Sequence, residues 1–151
     1  KVVYENGLFA IGAALHAAEL SENREPAYLI FSDTSLAAEI SMQVYIGERE
    51  SKLVLVPAGR PWYDAKAYVE VLPHDQDYID IDIMPVDKFK GRKTVRVMLE
   101  NFPKRPDRCT KAALSIELED NEHMHIHVED LGFGELYPAS EAVIDEKVSI
   151  Y

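Results

Sequence analysis

The chain has 151 residues, and 16 Lys and Arg against 27 Asp and Glu give it a formal charge of −11. That length fits one domain, or one domain plus a fragment, burying roughly two thirds of the unfolded surface, and 47% hydrophobic residues exclude a disordered chain. The acidity argues against nucleic acid and against an anionic membrane surface, which both call for clustered Lys and Arg, and no run reaches the roughly 18 apolar residues of a spanning helix.

The chain opens at Lys1 without Met and without a signal-peptide pattern, so a piece of something longer is expected. Residues 7–20, GLFAIGAALHAAEL, are rich in the helix formers Ala and Leu, and Asn6 stands where a helix cap would. Leu8, Ile11, Leu15 and Ala18 form a stripe, but Phe9, Ala10, Ala13, Ala14 and Ala17 make the other faces nearly as apolar. Such a helix needs partners on more than one side. Without them it is expected to pack on the rest of the chain, pair with a second copy or stay unfolded.

After the polar break SENREP (21–26) the period shifts from about 3.6 to 2. Leu36–Ile46 reads as a strand, and Leu53–Pro57 as a strand buried on both faces. Tyr68–Leu72 and Tyr78–Met84 read as a hairpin joined by Pro73–Asp77. Thr94–Leu99, Leu114–Leu118, Met124–Val128 and Val143–Tyr151 complete about eight short strands. The expected fold is mainly β: a two-sheet antiparallel sandwich preceded by one helix.

The most chemically suggestive run is His123-x-His125-x-His127. Same-face strand neighbours lie about 7 Å apart, so two imidazoles could share a metal if a third ligand came from elsewhere. The intervening Met124, Ile126 and Val128 explain the run equally as the watered side of a sandwich strand, and that reading is preferred. Asp80 and Asp82 likewise read as a solvated face. Joined with Asp75 and Asp77 they lack the glycine-hinged loop of a calcium site. Cys109 has no histidine neighbour to make it a nucleophile; as the single cysteine it excludes an internal disulfide and points to a reducing, cytoplasmic setting. With no phosphate-binding glycine loop, nucleophile elbow or HExxH, no catalysis is expected.

The order of features resembles the seventy-kilodalton heat-shock chaperone (DnaK-type) family across the junction of its two domains. Ala10-Ile11-Gly12-Ala13-Ala14 matches the "AxGAA" helix that closes the family's nucleotide-binding domain. Tyr28, Leu29, Ile30 and Phe31 stand in place of its leucine-rich linker, and Thr34-Ser35-Leu36 in place of the Thr-Pro-Leu that opens its peptide-binding sandwich. Residues 120–128, DNEHMHIHV, look like its "DxDGxLxVxA" strand pair. Ser35 replaces the family's proline, His123 its turn glycine, and Gln43-Val44-Tyr45-Ile46 its glycines after the first strand.

The resemblance implies three parts: residues 1–26 as the last helix of an absent nucleotide-binding domain, 27–33 as linker, and 34–151 as the sandwich. ATP and Mg would belong to the absent domain and none to this chain. The implied function is non-catalytic binding of unfolded or extended polypeptide, in concert with the protein's own nucleotide-binding domain. The implied groove runs along Ile40, Met42, Gln43, Val69, Leu72, Ile79 and Ile81. Two rivals stand beside it: an interaction module that no longer binds peptide, and a metal-dependent enzyme or metal-binding sandwich using His123, His125 and His127. Glu48, Glu50, Asp75 and Asp77 would favour peptides with basic ends.

Overall fold

The computed structural model describes residues 7–22, 31–87 and 89–151. The chain divides into two units, residues 1–30 and 31–151. In the first, the Ala-rich run forms helix α1 (Leu8–Ser21), and the Ser21 hydroxyl donates to the Ala18 carbonyl at 2.9 Å to close its last turn. Phe9 is 95% exposed, and Ile11 and Leu15 are exposed too. The expected cap, Asn6, lies outside the described residues.

The second unit holds eight strands: β1 (Ala38–Ile46), β2 (Arg49–Val56), β3 (Lys66–Val71), β4 (Tyr78–Pro85), β5 (Lys93–Met98), β6 (Lys111–Leu118), β7 (His123–Gly132) and β8 (Val143–Ser149). They make two four-stranded sheets, ordered β2-β1-β4-β5 and β3-β6-β7-β8, with every neighbouring pair antiparallel. This is the expected two-sheet sandwich. Period-2 alternation sends Ile79, Ile81 and Ile83 of β4 inward to meet Leu114 and Ile116 of β6 and Met124, Ile126 and Val128 of β7. Each such side chain stabilises the fold by about 1.5–3 kcal/mol through burial.

Two strand expectations are corrected. β3 and β4 do not form a hairpin: β3 pairs with β6 from Lys66↔Glu117 to Val71↔Ala112, while β4 pairs with β1 and β5. Residues 72–77 instead cross between the sheets, a step of about 10 Å that a six-residue loop spans easily. β2 is not buried on both faces either. It is an edge strand, with Val54 exposed and Leu53 and Leu55 only partly covered.

Because all pairings are antiparallel, the β1–β2, β3–β4, β5–β6 and β7–β8 connections gather at one end of the sandwich. The chain enters and leaves at the other. There Ser35 bridges to Pro61, the Ile150 N–H donates to the Glu122 carbonyl at 2.7 Å, and the Tyr151 hydroxyl meets the Ala37 backbone. Among the described residues no helix is long and apolar enough to cross a membrane.

Candidate functional site

At the loop end the first sheet comes apart. β1 pairs with β2 down to Ile46↔Arg49, but its ladder with β4 runs only from Ala38↔Pro85 to Ser41↔Asp82. Beyond that point Met42–Ile46 have a partner in β2 alone, and Tyr78–Ile81 in β5 alone. The parting coincides with an irregularity: Ile40 opposes Val56 and Ser41 opposes Val54, so Leu55 is an unpaired bulge. A bulge adds twist and bends the ribbon carrying it. Gly47, at φ +67°, opens the two-residue turn at the ribbon tip, where a glycine with positive φ is the favoured first residue.

The pairing also fixes where the backbone points. A two-residue turn makes its flanking residues, Ile46 and Arg49, a hydrogen-bonded pair, and alternation extends this to Val44↔Ser51 and Met42↔Leu53. The N–H and C=O groups of Gln43 and Tyr45 therefore point away from β2, toward the open side. On the facing lip, the Leu99 N–H donates to the Asp77 carbonyl at 2.7 Å, so odd residues of β4 face β5. The backbone groups of Tyr78 and Asp80 then face the gap. One of them is capped: the Gln76 side-chain amide donates to the Tyr78 carbonyl at 3.0 Å. The result is a seam with a row of main-chain donors and acceptors on each lip. Tyr45 and Ile46 at its outer end are 71% and 70% exposed.

Beside the seam, loops 72–77 and 99–110 enclose a cleft of about 390 Å³ lined by Pro73, Gln76, Leu99, Phe102, Pro106 and Thr110, among others. A cross-loop latch holds its rim. Asp107 accepts from the Asp75 N–H at 2.8 Å and lies 2.7 Å from His74 Nδ1, and Arg108 Nη2 lies 3.1 Å from His74 Nε2. The Asp75 N–H, and less strongly His74, hold the Asp107 carboxyl below its ordinary range against the opposing effect of burial. Asp75 (φ +51°) and Arg108 (φ +60°) are the described non-glycine residues in the left-handed region, strain that the latch maintains. His74, Asp75 and Asp107 are close enough to share an ion. Both Asp107 oxygens are already bonded, however, and a guanidinium sits alongside, so the group reads as a latch.

A second cross-link is buried. Arg105, from the β5–β6 loop, donates twice to Asp130 of β7, at 2.6 and 2.7 Å, and to the Pro138 carbonyl at 2.8 Å. The two side chains are 6% and 0% exposed. Asp130 also accepts from the N–H groups of Gly132 and Ser140 and from the Ser140 hydroxyl. Burial alone would raise the Asp130 carboxyl. The Arg105 guanidinium and these donors overrule it and hold the group far below its ordinary range. Gly132 completes the turn at φ +67°, and a Cβ there would lie 2.3 Å from the Ala139 backbone nitrogen. Gly132→Ala is therefore expected to cost about 2–4 kcal/mol from left-handed strain plus overpacking, read from the urea midpoint.

A family model described as a domain of unknown function (DUF8552) matches residues 35–150. The chain belongs to that family. No curated protein matches the sequence. The DUF8552 match begins at the residue that bridges to Pro61 and ends one residue after β8, so it coincides with the sandwich.

Within this domain the residues singled out from sequence separate. Ile40, Met42, Ile79 and Ile81 are buried between the sheets; Met42, Ile79 and Ile81 lie on the stretches flanking the seam, and Gln43 lies on its lip. Val69 packs against the core from β3, in the other sheet, and Leu72 is exposed at the start of the crossing loop. Phe31 is exposed, while Tyr28, Leu29 and Ile30 lie outside the described residues. Asp80 and Asp82 are not a freely solvated pair. Arg96 binds Asp80 bidentately at 2.8 Å, and Asp82 is buried against Thr94 and Arg92. His123 folds back onto Asp120, and His127 Nδ1 meets Asp145 at 2.7 Å. Cys109 is half-buried, its N–H bonded to the Pro106 carbonyl.

Sequence reasoning missed Arg105 and Asp130. A signal was present, since Asp130 continues the inward alternation of Met124, Ile126 and Val128. A carboxylate on a core-facing position needs a cation.

Proposed function

We propose that the sandwich binds an extended polypeptide segment as a strand inserted into the seam between β1 and β4. The observation that carries this is the pair of facing lips, Gln43/Tyr45 and Tyr78/Asp80, whose main-chain groups the sheet's own ladder leaves without partners. An inserted strand satisfies both rows and turns alternate side chains toward Met42, Val44, Ile79 and Ile81, the arrangement by which exposed sheet edges recognise peptides. Those neighbours select apolar residues, and Glu48, Glu50, Asp75 and Asp77 near the mouth select basic flanks. The likeness of the sequence to a chaperone's peptide-binding sandwich supports the same reading. Affinity here comes from hydrogen bonds and burial, with no bond made or broken.

Fluorescence polarisation with a short Leu-rich peptide carrying basic ends tests it. Saturable binding is expected, weakened about 3–10-fold in Gln43→Pro, which removes one donor from the lip at about 0.5–1.5 kcal/mol. A proline on an open edge breaks no ladder bond, so the fold should survive. Absence of saturable binding, or wild-type affinity in the proline variant, sinks the seam. The exposed Tyr45 and Ile46 favour one other reading, a protein-contact module using the ribbon tip. In that case Ile46→Lys abolishes partner binding and Gln43→Pro leaves it intact.

A further inference from the structure

We propose that the outer face of the β3-β6-β7-β8 sheet carries a divalent transition-metal site, separate from the seam, with His125 and His127 of β7 and Glu117 of β6 as ligands and Asp145 of β8 behind them. The register brings these four together. Glu117 stands directly across from His125 and Ser115 from His127, while Asp145 stands across from His127 on the other side. They line one shallow groove of about 330 Å³, whose walls are Ser115, Glu117, His125, His127 and Asp145. Two imidazoles two residues apart on a strand are about 7 Å apart at their backbones, and cross-strand neighbours are about 5 Å apart. The three ligand atoms are not gathered as the side chains stand, and binding requires these exposed side chains to rotate onto one ion.

One ligand is already oriented for the task. An ionised carboxylate only accepts hydrogen bonds, so the 2.7 Å contact between His127 Nδ1 and Asp145 Oδ1 fixes the proton on Nδ1. In the neutral ring the lone pair is then on Nε2, the tautomer a metal needs. A carboxylate bonded to the far nitrogen of a ligating histidine is the usual second support of such sites. His125 and Glu117 are exposed and make no side-chain hydrogen bond among the described residues, and besides Glu117 the carboxylate of Glu119 acts on His125. Lys147, opposite His125, reaches across β7 to pair with Glu119, which neutralises its charge. A solvated strand face requires only polar side chains. This one places a carboxylate beside one imidazole and a second carboxylate behind the other. Two histidines, one carboxylate and a water suit Zn²⁺.

Zinc titration by calorimetry on the whole chain at neutral pH tests the site. One ion per chain is expected. Its affinity should fall about 10–100-fold in Asp145→Asn, be lost in the His125→Ala/His127→Ala double variant, and be unchanged in His123→Ala. Circular dichroism of each variant should match wild type, because these side chains lie outside the core. No zinc uptake, uptake that survives the double variant, or uptake lost instead in His74→Ala, which would locate the ion at the loop latch, overturns the proposal.

Discussion

Replacing Arg105 with leucine is expected to destabilise the sandwich by about 3–5 kcal/mol, seen as a large fall in the urea midpoint. The variant removes two charge-assisted bonds and leaves Asp130 charged in a site from which water is excluded. Replacing both partners, Arg105→Met with Asp130→Leu, should recover only part of the loss. The buried charge is gone, but the N–H groups of Gly132 and Ser140 lose the carboxylate they donate to. The pH dependence carries a definite sign. The folded pKa of Asp130 lies below its unfolded value of about 3.9. Its contribution is therefore fully present above that value and is lost as the pH falls toward the folded pKa. In Arg105→Leu the principal lowering influence is gone and burial remains. Acid should then narrow the gap in midpoint between wild type and variant; a gap unchanged from pH 7 to below the unfolded value would show that the charge on Asp130 is not what separates them.

Strand insertion makes a sharper demand on the ligand than on the protein. Successive residues of an inserted strand direct their N–H groups to opposite lips, one toward Gln43 and Tyr45, the next toward Tyr78 and Asp80. A bound peptide N-methylated at its odd residues therefore loses one row of bonds, and one methylated at its even residues loses the other. At about 0.5–1.5 kcal/mol per bond, two or more bonds in either row cost roughly tenfold or more, and both peptides should bind that much more weakly. If one pattern of methylation were harmless, the peptide would be adding to a single exposed edge, and the two-lipped seam would be wrong.

Much of the fold was legible because alternation is a local signal. The apolar members of Tyr78–Met84 and Met124–Val128 mark their inner faces without reference to anything distant. The sheet to which each strand belongs was not legible. Tyr68–Leu72 and Tyr78–Met84 have the look of a hairpin, and only the partners of β3 and β4, which lie far off in sequence, show that the loop crosses between layers. The seam was half visible. Ile79, Ile81 and Met42 were marked from sequence, yet what distinguishes the site is a ladder that stops at Ser41↔Asp82, and no residue type encodes the end of a ladder. Asp130 stood on the inward parity, while its cation is 25 residues earlier in a proline-bounded loop. Pairs of that kind are set by tertiary closure.

The meeting of Tyr151 with the Ala37 backbone has a bearing on how the domain is carried. Its chain enters and leaves through one doorway, on the side away from the seam. A host protein could accept residues 35–151 into a surface loop much as a socket accepts a plug, with little strain on either. Joining the two ends by a short linker and reopening the chain elsewhere should yield circular permutants that still fold. Held by either end, or by both, the domain presents the same open face outward.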